Sequence, residues 1–339
     1  NGGPNDLTVN AVIADNSTAS TLSKSGAGKV TLAAGNTFSG ATTVGEGSLI
    51  LAHTDALQNS TLALGAAAPV FDSSVVPHTF TLGGLSGFSA LPLIDNAGNA
   101  LSLAVGKNNG TTSYSGVLSG PGSLTKQGAG TLTLDGTNSF SGGLTISAGK
   151  VVANQQNALG TGWVANNGTL DLAVPAQVTY SGLSTGMTGS GTVNVTLFTA
   201  GYTTPLNGDY SGFTGLWNIN VSGAAGAAKA MMNGRDNAAA TIIVRTNGTV
   251  MCGTALRHSA SLVLQGGNTG ESNGQLRLDN NAEWFGSILL AGLITDVNDG
   301  FIGCGTGTGY ISGPISDGGA GYVLDKVTGN MIVITGTNN

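Results

Sequence analysis

A phrase of 36 residues occurs twice in this chain at one fixed offset, and few folds reuse a phrase that way. Leu22-Ser-Lys24-Ser-Gly26-Ala-Gly28-Lys-Val-Thr-Leu32 returns 102 residues later as Leu124-Thr-Lys126-Gln-Gly128-Ala-Gly130-Thr-Leu-Thr-Leu134. The match runs without a gap through Asn36-Thr-Phe38-Ser-Gly40 against Asn138-Ser-Phe140-Ser-Gly142. It closes at Leu57 against Leu159, with 15 of 36 positions identical. A third copy opens at Leu324, carries Lys326 and Ile334 where the second has Lys126 and Leu134, and stops at Asn339. The expected organisation is one repeat domain over 1–339, with copies at 22–57 and 124–159 and a truncated copy at 324–339. The cut copy leads us to expect a segment of a longer protein, or a neighbouring chain that completes the last turn.

Inside the phrase, Val30-Thr31-Leu32 and Leu132-Thr133-Leu134 place apolar residues two apart, the period of a strand with one buried face. Gly and Asn bound each short strand and tolerate the backbone of a tight corner. Strands this short bury an apolar face only by stacking on copies of themselves, so neighbouring coils share one core. Composition agrees: 57 of 339 residues are Gly and only 8% are charged, against about a quarter charged in an ordinary domain. A sandwich would not reuse a phrase at long spacing, and 102 divides awkwardly into propeller blades of about 40–50 residues. The expected fold is therefore all-β, a parallel β-solenoid of short strands with Gly/Asn-rich turns. At roughly 20 residues per coil, the offset amounts to about five coils. Gly26, Gly28, Leu32, Phe38 and Gly40, with Gly128, Gly130, Leu134, Phe140 and Gly142, are the positions read as structural, joined by Lys326 and Ile334. An aromatic followed by Ser-Gly recurs at Phe38, Tyr114, Phe140, Tyr180 and Tyr210, with Tyr310-Ile-Ser-Gly as a variant. We read the aromatic as core, with a carbohydrate-stacking platform as the sharper alternative.

Little in the chain points to chemistry. A net charge of −6 and a pI near 4.8 give a phosphate backbone nothing to attract it, so no nucleic-acid partner is expected. The apolar run Ile288–Ile294 is too short to span a bilayer, so no membrane insertion is expected. Three histidines and no convergent carboxylates leave no catalytic residue and no cofactor to assign, and we expect no enzyme. Gly182-Leu-Ser184-Thr-Gly186 has the spacing of a nucleophile elbow, but such matches arise by chance in a Gly-rich chain. Asp296 and Asp299 form a candidate Ca²⁺ pair with backbone carbonyls, against the plainer reading of a solvated turn at Val297-Asn-Asp-Gly300. Cys252 and Cys304 are read as buried thiols, with a disulfide left open.

Lys24-Ser-Gly-Ala-Gly-Lys-Val-Thr-Leu32, followed by Asn36-Thr-Phe-Ser-Gly40, Thr42-Thr-Val44 and Gly47-Ser-Leu49, resembles the autotransporter-associated β-strand repeat of bacterial passenger domains. Lys126 to Val151 is similar, and Lys326 to Asn338 is like the start of another copy. The resemblance covers about a quarter of the chain, and 65–109 and 194–299 depart from it. It implies a right-handed parallel β-helix displayed outside the cell. The function expected is an extracellular or cell-surface structural segment, a stiff spacer or self-assembling fibre that associates end to end. The alternatives are an adhesin that binds a surface glycan and a polysaccharide lyase or hydrolase built on a β-helix.

Overall fold

The structure, a computed structural model, describes residues 6–173, 179–198, 203–222, 229–267, 274–292 and 301–336. It comprises two compact units, Asn1–Gly168 and Thr169–Asn339. In both units the strands are two to nine residues long and stack parallel, coil on coil, as the repeat requires. The fold is a β-solenoid, and among the described residues the one helix is the single turn Ser181–Thr185.

In the first unit apolar residues two apart point inward and meet the same kind of residue in the next coil. Leu103, Leu124, Leu144 and Val164 form one such column, and all four are buried. Full burial of a side chain of this size stabilises by about 1.5–3 kcal/mol, so a column of four outweighs the weak pairing of three-residue strands.

Two polar residues of the repeat are also interior, and both join coils. Asn36 accepts from the amide of Ile13 at 2.9 Å and donates through Nδ2 to the carbonyl of Ala56 at 2.9 Å. Asn138 does the same, accepting from Leu118 at 2.8 Å and donating to Ala158 at 2.7 Å. Each amide thus ties its own coil to the one before and the one after. Lys24 and Lys126 are 5% and 1% exposed, rare for lysine. The Lys24 ammonium donates to the carbonyls of Ser25, Gly26 and, one coil on, Glu46. Lys126 donates likewise to Gln127, Gly128 and Ala148. Gly47 and Gly149 close these cages at φ of +67° and +66°, and a Cβ there would lie 2.6 and 2.7 Å from the lysine nitrogens. Burial pushes the Lys126 ammonium below its ordinary value.

The repeat and the coil do not keep step. From the strand Leu22–Lys24, the stack runs Leu22 to Thr42, Leu62 and Leu85. In the same strands it continues from Gly87 to Tyr114 and Leu134. Five coils therefore carry the strand of Lys24 to the strand of Leu134, eight residues past its repeat equivalent Lys126. Lys126 belongs to a neighbouring column, stacked on Val105 and Leu82. The 102-residue offset, read as about five coils, therefore falls eight residues short of five whole coils. Coils within the copies are 20 residues long (Leu22 to Thr42, Leu124 to Leu144), but the intervening Gly87-to-Tyr114 coil takes 27. The second copy is rotated by one face.

In the second unit, coils again vary, from 20 residues (Thr241 to Ser261) to 27 (Ile288 to Ile315). Trp217 is packed edge-on by Tyr210 and Phe213, centroids 5.2 and 5.5 Å away. An amide ladder crosses four coils: Asn194 donates to Asp171 at 2.6 Å, Asn218 to Asn194 at 2.9 Å, and Arg245 to Asn218 at 3.0 Å. The carboxylate and guanidinium at its ends orient both amides the same way. Cys252 stacks on Leu278 and the register sets Cys304 on its far side. Two strand spacings, about 9.6 Å, exceed the roughly 7 Å a disulfide spans, and both thiols are free and buried. In the third copy, Lys326 bonds the carbonyl of Thr328, two residues on, as Lys24 bonds Gly26 and Lys126 bonds Gly128. Unlike them, Lys326 is exposed, and Ile334 is 40% exposed where Leu32 and Leu134 are buried.

Asn138→Ala leaves the Leu118 amide and the Ala158 carbonyl without partners. Each orphaned buried group costs about 1–3 kcal/mol, and the loss falls on adjacent coils because solenoid stability is local. Hydrogen exchange at the Leu118 amide is expected to accelerate at least thirtyfold, while the Leu32 amide, several coils away, is unchanged. Uniform acceleration across the first unit would contradict the local bridge.

Candidate recognition surface

The aromatic-Ser-Gly residues divide by parity. Phe38, Tyr114, Phe140, Tyr180 and Tyr210 are all buried, so they pack the core. Their glycine admits the coil beneath: a Cβ at Gly40 would lie 2.4 Å from the carbonyl of Ser20. Tyr310 has one more residue before its Ser-Gly. In a strand that single step reverses the face, so Ile311 takes the interior place and Tyr310 is 37% exposed.

Tyr310 lies on the decorated face of the second unit. Arg257 pairs with Glu283 across one coil step, and Glu283 with Tyr310 across the next. The Arg257 guanidinium bonds Glu283 at 2.7 and 3.2 Å and lies 4.8 Å over the exposed ring of Phe285. The Ser312 hydroxyl donates to Glu283 as well, and together with Arg257 it holds that carboxyl below its ordinary value.

Beside Arg257 a cleft of about 280 Å³ opens between Ser211, Gly234, Arg235, Asp236, Leu256 and Ser259. It adjoins a second of about 300 Å³ bounded by Asn207, Asp209 and Asn233. Three successive coils build it, with Asp209 bridged to Arg235 in parallel. Asp236 is spent on the chain, accepting from the Ser259 amide at 2.8 and 3.0 Å, the Ser259 hydroxyl at 3.1 Å and the Ala260 amide at 2.8 Å. Ser211 caps Asp209 through hydroxyl and amide. Those bonds, with the charge of Arg235 adding to them, hold the Asp209 carboxyl below its ordinary value. Among the described residues the Arg235 guanidinium makes no hydrogen bond. In the first unit a separate cleft of about 280 Å³ is bordered by Pro69, Val70, Phe71, Leu91, Pro92 and Ile94 and is mostly apolar.

The remaining sequence candidates are not drawn into this face. Ser184 lies in the one-turn helix, its hydroxyl bonded to the Tyr180 carbonyl at 3.3 Å. Asp296 and Asp299 fall outside the described residues, and among the described residues no group of three or more His, Cys, Asp or Glu could hold a metal. Among the described residues, no helix is long and apolar enough to cross a membrane. The cleft itself was not legible in the sequence. Asp209, Arg235 and Arg257 are more than 20 residues apart, and only their shared place in coils of irregular length brings them together.

Comparison with known proteins agrees with this architecture. The passenger-associated-transport-repeat family matches residues 22–51 and 124–153, the first parts of the two copies. The adhesin BmaC autotransporter of Brucella suis biovar 1 (strain 1330) is 28% identical over 236 residues. That stretch is 64% of this chain and 7% of the adhesin's length. No solved structure matches. The repeat copies of the chain are thus similar to the repeats of autotransporter passengers.

Beneath the cleft lies His258, fully buried and stacked on Trp284 with ring centroids 5.3 Å apart. Neither ring nitrogen has a hydrogen-bond partner, and Asp236 is 3.8 Å from Nδ1. Burial pushes the imidazole below its ordinary value against the opposing pull of Asp236. The folded state thus keeps His258 neutral while the unfolded chain takes up a proton below about pH 6.5. The unfolded state binds more protons in that window, so stability is full above it and falls as pH drops. His258→Phe retains the stack and removes the proton. The unfolding free energy of the variant, from urea titration, is expected to gain on the parent between pH 7.5 and 5.5, by at most about 1.4 kcal/mol per pH unit. A difference that does not change with pH would contradict a neutral buried histidine.

Proposed function

We propose that this chain is a non-catalytic, surface-exposed passenger segment, a stiff spacer whose outward faces carry adhesive contacts. The observation that carries the reading is how the repeat spends its polar interior residues. Asn36, Asn138, Lys24 and Lys126 are all committed to bonds that hold coil to coil. Residues conserved between copies therefore maintain a stack rather than converge on a reacting group. A spacer needs that economy: parallel coils resist bending and leave few exposed backbone groups for a protease.

The adhesive half of the reading is supported by the relative, which is named an adhesin, and by the polar, aromatic-bearing face around Arg257, Phe285 and Tyr310. Surfaces of this composition, with aromatic and Arg anchors amid hydrogen-bonding groups, are those that proteins use for contact.

Two measurements separate the halves. Trypsin at 37 °C is expected to leave the native chain largely intact over hours while cutting the urea-unfolded chain at its Lys and Arg residues. Rapid digestion of the native chain would remove the spacer reading. The same preparation on a glycan array and on surfaces coated with extracellular-matrix proteins is expected to give saturable retention. A chain that resists trypsin but is retained on none of them would be a spacer alone.

A further inference from the structure

We propose that the cleft around Arg235 in the second unit binds a carboxylate-bearing sugar, of the uronic- or sialic-acid class. The inference deepens the adhesive reading given above and rests on it.

The cleft contains both committed and uncommitted polar groups. Asp236 receives four hydrogen bonds from Ser259 and Ala260, and Glu283 is taken by Arg257 and Ser312. Asp209 is capped by Ser211 through one oxygen only, Oδ1, so Oδ2 stays available as an acceptor. Arg235 is exposed, and its fork of donors makes no hydrogen bond among the described residues. A planar, permanently charged fork whose donors are free matches a carboxylate in shape and charge.

Charge balance sets the class more narrowly. Asp209 and Asp236 line the cleft with Arg235 and Arg257, and Arg257 is already paired with Glu283. A polyanion therefore meets no broad positive field, whereas one carboxylate meets one guanidinium whose donors make no hydrogen bond among the described residues. Beyond Arg235 the lining supplies what a polyhydroxylated ring requires: the free Asp209 oxygen and the Asn207 and Asn233 amides for hydroxyls, with Leu256 as an apolar wall. Small-molecule sites combine an apolar surface with a few placed polar groups in this way. The volume, about 280 Å³, lies just below the usual ligand-site range of about 300–1,000 Å³, which suits one sugar ring. A longer glycan would continue toward Arg257 and Phe285.

The test titrates the whole chain with glucuronate, N-acetylneuraminate, glucose, acetate and an Asp-Glu dipeptide, followed by NMR shifts and calorimetry. Saturable millimolar binding of either acidic sugar is expected, with glucose and acetate at least tenfold weaker. Arg235→Ala is expected to weaken the acidic sugar at least tenfold and Arg235→Lys by less. Because the side chain is exposed, both variants should keep the parent melting temperature, and Arg235→Gln, with the same tenfold loss expected, serves if Arg235→Ala fails to fold. Three results overturn the proposal: no saturable binding of either acidic sugar, binding indifferent to Arg235, or acetate or the dipeptide binding as tightly as the sugar. Any of them leaves trypsin resistance and matrix retention untouched, so failure here is distinguishable from failure of the spacer-and-contact reading.

Discussion

Everything in this molecule depends on hydrogen bonds that run from one coil to the next. A strand of three or four residues has almost no stability of its own, and its backbone groups must be paired once the core excludes water. Parallel stacking supplies most of those partners, but the corners interrupt it. The repeat places a side chain at each interruption. Asn36 and Asn138 stand in for a missing strand, offering an acceptor upward and a donor downward. Lys24 and Lys126 gather carbonyls that the corner turns inward. A buried ammonium is costly alone, and here three carbonyl dipoles offset the loss of water.

Because those devices are local, they fix a corner and not a position around the axis. That explains how one phrase serves on two faces. The first copy begins on the column that leads to Leu134, and the second begins on the column of Leu82 and Val105. What shifts the second copy is the longer coil from Gly87 to Tyr114. Insertions there are absorbed outside the stack while the column of leucines inside continues. A repeat protein built this way can place loops and recognition residues on any face without changing its core.

The solenoid was legible in the sequence because the repeat, the two-residue alternation and the corner glycines all describe neighbour contacts. Phe38, Phe140, Leu32 and Leu134 sit in the core for that reason. The phase of the coils was not legible, since it is set by 65–109, where the phrase is absent. The buried lysines were signalled by their identity between copies, but lysine is so seldom interior that composition argues against it. Tyr310 shows how fine the distinction is: one extra residue before Ser-Gly moves an aromatic from core to surface. The cleft around Arg235 is the least legible feature, because nothing local to Asp209, Arg235 or Arg257 reveals that coils of irregular length bring them side by side.

The coil register, not the 102-residue offset, determines which residues are neighbours. A pair of engineered cysteines measures that register. Gly87 stacks on Tyr114, so Ser86 and Ser113 lie side by side at about 4.8 Å, within reach of a disulfide. The variant Ser86→Cys/Ser113→Cys is predicted to form that bond on mild oxidation without loss of fold. Ser86→Cys/Lys107→Cys, the pair that a uniform coil of about 20 residues would juxtapose, is predicted to remain reduced. Cross-linking of the second pair and not the first would contradict the register and the rotation of the repeat that follows from it.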